Sequence, residues 1–267
     1  MSDFTMRRTW GPAPCYPNIF NRKFAAPGKT IVIAGPCSVE GEEQIAKIVP
    51  VLKDCGVTFA RGGVFRAGTY PRDNFGLQET ILKQWAFAVR EAGLRTIVEV
   101  IDIREIDKIE PYADAFQVGA RHCQDYALLR ELSWSHKTVT LKRGMGMTLD
   151  EFLGAAEYLT RGRCTPILIE RGSATHMNHV RWDLSVSLIA AVKGMTGIPI
   201  LVDASHGTGR RDLVLPMTLA GIAAGADGFL IEVHPDPDNS LSDADQAWPL
   251  EGLKTVMDRV EAVKRAR

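Results

Sequence analysis

Several charged and sulfur-bearing residues of this sequence come directly after short apolar runs. One run, Ile198–Val202, stops at Asp203-Ala-Ser-His206, and a turn with two glycines and two arginines follows. A histidine beside a Gly/Arg-rich turn at the end of a buried strand can bind a metal ion, an anion, or both. The same design recurs about eight times along the chain, as the strands of a closed barrel would require. The pattern predicts strand ends that converge on one site.

The strand-end residues fall into two chemical groups. One group offers a thiolate, an imidazole and two carboxylates, which suits a divalent transition metal with an open coordination position. Its members are Cys37, His206, Glu232 and Asp243. The other group offers four cations, and such side chains bind phosphate and carboxylate groups. Its members are Arg61, Arg121, Lys142 and Arg171. Four cations in one cavity repel each other unless a polyanionic substrate is bound.

Each of these residues also has an ordinary structural explanation. A lone Cys37 after Gly-Pro is commonly a buried small side chain, and His206 can cap a turn. Isolated basic residues commonly lie at the surface, but Lys142 and Arg171 directly follow apolar runs. The ordinary explanation would have to hold at every strand end at once, which favours a shared functional site. The other histidines and cysteines are interpreted as structural: His122, His136, His176, His179, Cys15, Cys55, Cys123 and Cys164.

Short β-branched runs alternate with amphipathic stretches from Lys29 onward. The runs are apolar on both faces, as in a parallel sheet covered by helices. The predicted strands are Thr30–Ala34, Thr58–Phe65, Thr96–Val100, Ala115–Val118, Thr138–Lys142, Pro166–Ile169, Ile198–Val202 and Phe229–Val233. The predicted helices are Glu42–Leu52, Glu79–Glu91, Cys123–Leu132, Leu149–Leu159, Arg181–Val192, Asp212–Ala224 and Leu250–Val263, and Thr148 with Glu151 forms a predicted capping box.

This alternation predicts an α/β fold, a (β/α)8 TIM barrel, because the units are spaced near the ~30 residues of a βαβ unit. A doubly wound open sheet is the main competitor, but no G-x-G-x-x-G follows the first strand. Residues 1–29 are proline-rich and irregular and are predicted to be a short N-terminal extension. Residues 30–267 are predicted to be one catalytic barrel with its site at the carboxyl ends of the strands.

Bulk charge argues against partners that bind by electrostatics alone. The formal net charge is zero, which disfavours nucleic acid and membrane surfaces. No apolar run approaches the ~20 residues that span a bilayer, and Met1–Arg8 lacks the apolar core of a signal peptide. Five cysteines, odd in number and widely spaced, do not form a disulfide framework. We therefore expect a cytoplasmic protein.

Six longer motifs occur along the chain. They are Ile33-Ala-Gly-Pro-Cys-Ser-Val-Glu40, Gly119-Ala-Arg121, Leu141-Lys-Arg-Gly144, Glu170-Arg-Gly172, Asp203-Ala-Ser-His-Gly-Thr-Gly-Arg-Arg-Asp212, and Ile231-Glu-Val-His-Pro-Asp236 with Leu241-Ser-Asp243. In this order they closely resemble the 3-deoxy-7-phosphoheptulonate (DAHP) synthases of the type I beta group. The resemblance runs from about Lys29 to the C-terminus. The chain looks like the short form that lacks a regulatory domain.

The resemblance implies a transferase that condenses phosphoenolpyruvate with erythrose 4-phosphate, giving 3-deoxy-7-phosphoheptulonate and phosphate at the entry to the shikimate pathway of aromatic amino acid biosynthesis. It implies a divalent metal cofactor (Mn, Fe, Co or Zn) and a homodimer or homotetramer. By position, the thiolate–imidazole–carboxylate group falls on the family's metal ligands, and the four cations fall on its phosphoenolpyruvate-binding residues. The expected catalytic residues are Lys142, His206 and Glu99, with Glu99 or a metal-bound water handling the proton.

The chain departs from the family after the second strand. Members carry Lys-Pro-Arg-Thr-Ser there, whereas this chain has Arg66-Ala-Gly-Thr-Tyr70. Arg66 takes the place of the lysine and Thr69 is retained, so both are expected to bind substrate. Gly68 replaces an arginine that grips the sugar phosphate, and losing a charge-assisted contact costs about 1.5–3 kcal/mol. Arg72 is close enough in sequence to reach the same space.

A second departure follows the sixth strand. The family often has Gly-Ile-Arg-Thr there, whereas Gly172-Ser-Ala-Thr175 again lacks the arginine. The two departures leave the aldehyde open, including a different aldehyde used in secondary metabolism. A synthase for a five-carbon sugar phosphate is disfavoured, because the Lys-Ala-Asn-Arg-Ser stretch of the 3-deoxy-octulosonate 8-phosphate synthases is also absent.

Two alternatives lie outside this reaction. A metal-dependent hydrolase could use the same thiolate, imidazole and carboxylates, but the four cations and the lack of His-x-His after the first strand count against it. A non-catalytic barrel that binds a partner enzyme is allowed by the altered loop after the second strand. The retained metal-type residues argue against that alternative.

Overall fold

The structure, a computed structural model, describes residues 29–66 and 76–267. Within this part of the chain, parallel strands β1 to β8 pair in sequence order, and β1 also pairs with β8, which closes the sheet into a barrel. The strands are β1 Ile31–Gly35, β2 Phe59–Arg61, β3 Thr96–Val100, β4 Ala115–Val118, β5 Thr138–Lys142, β6 Thr165–Glu170, β7 Ile200–Asp203 and β8 Gly228–His234. The predicted (β/α)8 TIM barrel is confirmed.

A helix follows each strand and covers the outside of the barrel. The helices are α1 Glu42–Asp54, α2 Glu79–Glu91, α3 Ile106–Ile109, α4 Tyr126–Ser133, α5 Leu149–Thr160, α6 Val186–Met195, α7 Arg211–Ala223 and α8 Leu253–Ala266. The predicted capping box begins α5: the Thr148 hydroxyl accepts from Glu151 N, and the Glu151 carboxylate accepts from Thr148 N. Two short helices were not predicted, namely α3 and the single-turn helix Ala204–Thr208 after β7.

All eight predicted strands are present, and the largest difference lies at β2. The predicted strand Thr58–Phe65 ends at Arg61, because the chain leaves the barrel at a Gly-Gly pair. A methyl group on Gly62 would lie 2.7 Å from the Trp85 ring, and one on Gly63 would lie 1.9 Å from the Cys37 carbonyl oxygen. Beyond this tight passage, Phe65–Arg66 forms a two-residue antiparallel ladder with Gly76–Leu77.

The predicted helix Arg181–Val192 starts five residues late, at Val186, with its N-cap at Ser185. The backbone of Arg181 and Trp182 bonds to a neighbouring loop instead, through Arg181 N to Thr208 O at 2.8 Å and Trp182 N to Gly207 O at 3.0 Å. The prediction failed here because helical periodicity carries no information about tertiary hydrogen bonds.

Side chains of the strands alternate between the barrel interior and the helix layer, as the two-residue period of a strand requires. In β1, Ile31 and Ile33 belong to the interior cluster, whereas Val32 and Ala34 pack in the outer core under the helices. The interior cluster comprises Ile31, Ile33, Phe59, Ile97, Ala115, Ile167, Ile169, Leu201 and Leu230. It fills the barrel below the site, so the strand ends stand on a packed and rigid base.

The N-terminal segment and the possibility of a membrane-spanning helix were also subjects of prediction. The predicted N-terminal extension, residues 1–29, lies outside the described residues apart from Lys29, so the boundary stays a prediction. Among the described residues, no helix combines the length and the apolar character needed to cross a bilayer.

The closure between β1 and β8 depends on a glycine, and this gives a test of the fold. A methyl group on Gly228 would lie 1.8 Å from the Ile31 carbonyl oxygen, a backbone atom that cannot move without breaking the ladder. We expect Gly228→Ala to destabilise the protein by about 2 kcal/mol or more. Gly154, inside α5, has open space around it, so Gly154→Ala should stabilise by about 0.5–1 kcal/mol. Urea unfolding of both variants measures this, and equal effects would contradict the closure argument.

Candidate active site

Inward-facing side chains at the carboxyl ends of the strands line the mouth of the barrel. The alternation that points Ile31 and Ile33 inward also points the last residues of several strands into the barrel mouth. These residues are Arg61, Glu99, Gln117, Lys142, Asp203 and Glu232. The loops that follow add Cys37, Arg171, His206 and Asp243. The residues that were predicted to share a site therefore lie at the carboxyl end of the barrel, as expected.

The predicted metal ligands gather around Glu232. The ligand atoms of Cys37, Glu232 and Asp243 all lie within 4.8 Å of one another. The Cys37 thiol donates to Asp243 Oδ2 at 2.9 Å. His206 joins through Glu232 rather than through the other two, with its Nε2 atom 2.9 Å from Glu232 Oε1. One thiol, one imidazole and two carboxylates in this cluster fit a divalent first-row metal ion.

Close backbone packing positions Cys37. Gly35 ends β1 with φ 148°, and a methyl group there would lie 1.9 Å from the Arg61 carbonyl oxygen. Gly63 comes equally close to the Cys37 carbonyl. The two glycines bring the ends of β1 and β2 into contact, and this contact holds the thiol at the barrel mouth.

Asp243 lies in a strained backbone conformation that its neighbours stabilise. Its φ is 53°, a left-handed value that costs a non-glycine residue about 1 kcal/mol or more. Its carbonyl oxygen accepts from Gln246 N and Ala247 N, both at 3.1 Å. Arg181 Nη1 donates to Asp243 Oδ1 at 3.2 Å. Because Oδ1 binds Arg181, Oδ2 turns toward Cys37.

The charge states of this cluster differ sharply. Burial raises the pKa of the Cys37 thiol well above its usual value, and the carboxylates of Glu232 and Asp243 raise it further. Burial would also raise the pKa of Glu232, but His206 and Arg61 outweigh it and hold that pKa well below the usual range. Cys37 is therefore a protonated thiol beside an ionised carboxylate. A divalent cation would take the place of the thiol proton.

Glu232 also ties the metal-type group to the cation group. Its Oε1 atom lies 2.7 Å from Arg61 Nη1, and its Oε2 accepts from Gln246 Nε2 at 2.5 Å. Burial lowers the pKa of Arg61, but the Glu232 charge reverses this and raises it above its usual value. The Ser205 hydroxyl accepts from Glu232 N at 3.1 Å. Both oxygens of the carboxylate thus have hydrogen-bonding partners, as a buried charge requires.

Asp203 holds Lys142 and His206 together. Its Oδ2 atom lies 2.9 Å from Lys142 Nζ and 2.8 Å from His206 Nδ1. Lys142 Nζ and His206 Nδ1 are 3.3 Å apart. Burial would raise the pKa of Asp203, but His206 and Lys142 lower it below its usual range. Asp203 also begins the short helix that carries the histidine, since its Oδ1 accepts from His206 N at 3.1 Å.

Sequence reasoning missed three of these partners. Asp203 was quoted in a motif but was not predicted as a site residue, although it is the last inward position of β7. Ser205, which accepts from Glu232 N, belongs to the same motif and was likewise not predicted as a site residue, and Gln246, which donates to Glu232 Oε2, was not predicted at all. The two-residue alternation along β7 is the signal that identifies Asp203, whereas nothing local identifies Gln246.

Arg171 differs from the other cations. It is buried, and its Nε and Nη1 atoms have no hydrogen-bond partner. Burial lowers its pKa, and the charges of Arg181 and Arg121 add to that, against the opposing effect of Asp203. Arg121 itself is exposed at the rim of the barrel. These cations face one another without a carboxylate on Arg171, which is the arrangement that a bound anion would relieve.

The remaining predicted residues lie apart from this network or outside the described part of the chain. Glu99 accepts from Gln117 Nε2 at 3.1 Å, and its Oε1 atom packs so closely over Gly119 that a methyl group there would lie 2.1 Å away. Arg66 lies in the two-residue ladder, and its side chain is outside the described atoms. Thr69, together with Gly68 and Arg72, is outside the described residues.

The residues next to Lys142 and Arg171 point the other way and join β5 to β6. Arg143 Nη2 donates to Glu170 Oε1 at 2.9 Å, and Arg143 Nε donates to Glu170 Oε2 at 2.5 Å. Glu170 also accepts from Gly172 N at 2.9 Å and Ser185 N at 3.0 Å. This buried pair lies in the outer layer, so it fixes the strand ends that present Lys142 and Arg171 without entering the site.

Comparison with known proteins gives independent evidence for the family of this chain. Residues 24–266 match the DAHP synthetase I family. A phospho-2-dehydro-3-deoxyheptonate aldolase of Thermotoga maritima is 38% identical over 240 residues, which are 90% of this chain and 71% of that protein. A 2-dehydro-3-deoxyphosphooctonate aldolase of Methylococcus capsulatus is 28% identical over 255 residues, with 88% of each chain covered.

Solved structures agree in fold. The crystal structure of the Thermotoga maritima phospho-2-dehydro-3-deoxyheptonate aldolase (DAHP synthase) superposes with a TM-score of 0.85 at 38% identity, covering 90% of this chain and 70% of that one. A truncated form of the 3-deoxy-D-arabino-heptulosonate 7-phosphate synthase from the same organism gives a TM-score of 0.82 at 36% identity, covering 90% and 88%. The chain therefore belongs to the DAHP synthetase I family and is a transferase-type aldolase built on a (β/α)8 barrel.

Proposed function

We propose that this enzyme condenses phosphoenolpyruvate with erythrose 4-phosphate to give 3-deoxy-7-phosphoheptulonate and phosphate, in aromatic amino acid biosynthesis. Family membership supports the condensation of phosphoenolpyruvate with an aldose phosphate. The observation that carries the proposal is the shared carboxylate of Glu232, which binds His206 on the metal side and Arg61 on the cation side. One site can thus hold a metal ion and a polyanion next to each other.

Phosphoenolpyruvate carries a phosphate and a carboxylate, and the cation group matches both. Arg61 and Lys142 are held in place by Glu232 and Asp203 and are buried with their charges compensated. Arg171 has unpaired N–H groups, and Arg121 stands exposed beside it. The substrate's negative charges would offset the repulsion among the arginines, which favours binding of the anion over the empty state.

We propose Cys37, His206, Glu232 and Asp243 as the ligands of a divalent ion, Mn, Fe, Co or Zn. When bound, the ion supplies Lewis-acid polarisation of the aldehyde carbonyl. The ligand set offers both soft sulfur and hard oxygen, so it does not discriminate strongly among these ions. His206 and Arg61 outweigh burial and hold the pKa of Glu232 well below its usual range, so this proposed ligand is ionised near neutral pH.

The chain's own residues supply proton transfer and charge stabilisation. In the overall reaction a carbon–carbon bond forms to the aldehyde, one water adds at C2 of phosphoenolpyruvate, and phosphate leaves by C–O cleavage. We propose that Lys142, whose ammonium group is held by Asp203, donates to the oxygen that develops charge. Glu99, an ionisable side chain at the end of β3, is proposed to accept the proton released by the water.

The identity of the aldose depends on residues outside this network. Ala174 is exposed and carries no charge, so it cannot hold a sugar phosphate as an arginine would. Gly68, Thr69 and Arg66 are the other positions expected to contact the sugar. A different aldehyde is therefore the alternative to erythrose 4-phosphate. The predicted homodimer or homotetramer and the cytoplasmic location stay predictions.

Removal of Cys37 tests the metal site. We expect Cys37→Ala to retain much less than one equivalent of metal after dialysis and to lose activity by about 100-fold or more, since a first-row ion loses a thiolate ligand. Metal content by atomic absorption and phosphate release measure this. Cys55→Ala, a half-buried cysteine at the end of α1, is the matched control and should keep both. Full metal content and activity in Cys37→Ala would sink the proposed ligand set.

Removal of the Asp203 charge tests the Lys142–His206 arrangement. We expect Asp203→Asn to lower kcat by about 100-fold, because Lys142 loses its charged partner and the Nδ1 side of His206 loses its carboxylate, leaving that ring only Glu232. Asp227→Asn is the matched control at the opposite end of the barrel, where the carboxylate holds Lys193 and Ile200 N. It should reduce thermal stability while leaving kcat unchanged. A normal kcat in Asp203→Asn would show that the contact is structural only.

A panel of aldoses tests the second substrate. Phosphate release from phosphoenolpyruvate is measured with erythrose 4-phosphate, with a five-carbon aldose phosphate and with unphosphorylated erythrose. We expect the highest kcat/KM with erythrose 4-phosphate and little release with the unphosphorylated sugar. A preference for the unphosphorylated sugar would replace erythrose 4-phosphate with the different-aldehyde alternative. No phosphate release with any of them would reject the condensation.

A further inference from the structure

The loop between β6 and α6, residues 173–185, is joined to the short helix that carries His206. Ser173 and Asp183 form an antiparallel bridge with two hydrogen bonds of 3.0 Å. Trp182 N donates to Gly207 O at 3.0 Å, within the short helix Ala204–Thr208. The backbone of Trp182 is therefore fixed relative to the barrel, and its side chain has a defined place.

The indole ring of Trp182 covers the guanidinium group of Arg171. The Arg171 Cζ atom lies over the ring, 5.4 Å from its centroid. The chain between them requires a glycine, because Gly172 has φ 91° and a methyl group there would lie 2.6 Å from Trp182 Cβ. The indole ring can thus approach the arginine only because residue 172 is a glycine.

Arg171 is stabilised in a way that differs from its neighbours. Arg61 and Lys142 are held by the carboxylates of Glu232 and Asp203, at 2.7 and 2.9 Å. The Nε and Nη1 atoms of Arg171 have no hydrogen-bond partner although they are buried. A cation in such surroundings is costly unless something offsets the loss of water. The face of a tryptophan ring attracts a cation without occupying its N–H groups.

The aromatic partner of Arg171 leaves its N–H groups available to a ligand. A carboxylate on Arg171 would have to be displaced before an anionic substrate could bind the same N–H groups. An aromatic face fixes the guanidinium plane and leaves its edge open, so the anion meets a preorganised donor pair. Trp182 can thus support a strong anion site at a position where a charged partner would compete with the ligand.

We propose that Trp182 is a positioning residue that holds the Arg171 guanidinium by a cation–π contact, with its N–H edge open to an anionic group of phosphoenolpyruvate. The inference rests on the proposed function, because it assigns Arg171 to that substrate. Trp182 touches Arg171 and not the reacting atoms, so its effect belongs to phosphoenolpyruvate binding.

Two substitutions distinguish the effect of the aromatic face from that of the indole N–H. Trp182→Leu removes both the aromatic face and the N–H group. Trp182→Phe keeps an aromatic face and removes only the N–H group, which is buried without a partner. We expect Trp182→Leu to weaken phosphoenolpyruvate binding about 10-fold or more, and Trp182→Phe to stay within about threefold of the wild type. Calorimetric titration with phosphoenolpyruvate measures the Kd, and steady-state kinetics should show a raised KM for phosphoenolpyruvate with the aldose KM unchanged.

Tryptophan fluorescence gives a second readout, which reports whether phosphoenolpyruvate binds beside Trp182. Phosphoenolpyruvate bound at Arg171 alters the surroundings of the adjacent indole, so it should change the emission of the wild type. Trp182→Phe should lose this change. Trp134→Phe, which replaces an exposed tryptophan after α4, is the matched control and should keep it. This measurement does not depend on whether Trp182→Leu folds.

The outcomes distinguish the inference from the proposed function. If the wild type binds phosphoenolpyruvate and Trp182→Leu binds it equally tightly, the positioning role is overturned while the proposed function stands. If Trp182→Phe binds as weakly as Trp182→Leu, the N–H or the size of the indole is responsible, and the cation–π role is overturned. An unchanged emission response in Trp182→Phe also overturns it. Failure of the wild type to bind phosphoenolpyruvate overturns both.

Discussion

The rest of the site depends on the contacts that the buried carboxylate of Glu232 makes with its charged and polar neighbours. This carboxylate stands at the end of β8, next to the seam where β1 closes the barrel. Its Oε1 atom contacts both Arg61 and His206, and its Oε2 contacts Gln246. Removing one partner of such a buried charge commonly costs about 3–5 kcal/mol. The barrel therefore has to close in this register for the metal-type and cation groups to share one carboxylate.

Barrel closure and strand alternation together decide which polar residues enter the site. Lys142 and Arg143 are adjacent in sequence and equally basic, yet the first contacts Asp203 and the second contacts Glu170 in the outer layer. A shift of β5 by one residue would exchange their positions. The Arg143–Glu170 pair opposes such a shift. Arg143 directly follows β5 and Glu170 ends β6, so the ion pair fixes the two strands relative to each other. Residues outside the site thus fix its composition.

The sequence predicted the strands well, and the connections between them less well. The eight strands were identifiable because each is apolar on both faces and bounded by turn residues. The strand-end position of the metal-type and cation residues was identifiable because each follows an apolar run, whereas their roles stay predictions. Gln246 and Trp182 were not, since each acts through a contact with a residue distant along the chain. The late start of α6 has the same origin, in the hydrogen bonds of Arg181 and Trp182 to the loop after β7.

The two substrate halves of the site rest on different kinds of structure. Among the residues proposed to bind phosphoenolpyruvate, Arg61 and Lys142 lie at strand ends above a packed barrel interior, so replacing either removes an ion-pair partner of Glu232 or Asp203. The residues proposed to contact the aldose follow β2 and β6 in the sequence, and the described one, Ala174, is exposed. Ala174 belongs to the second kind, and its backbone is tied by Ala174 N to Met145 O at 2.8 Å whatever side chain it bears. Substitutions in the segment after β6 can therefore alter the proposed aldose contacts while the strand-end residues keep their places. The departure at Ala174 lies at such an exposed position, where a change of side chain costs the fold little.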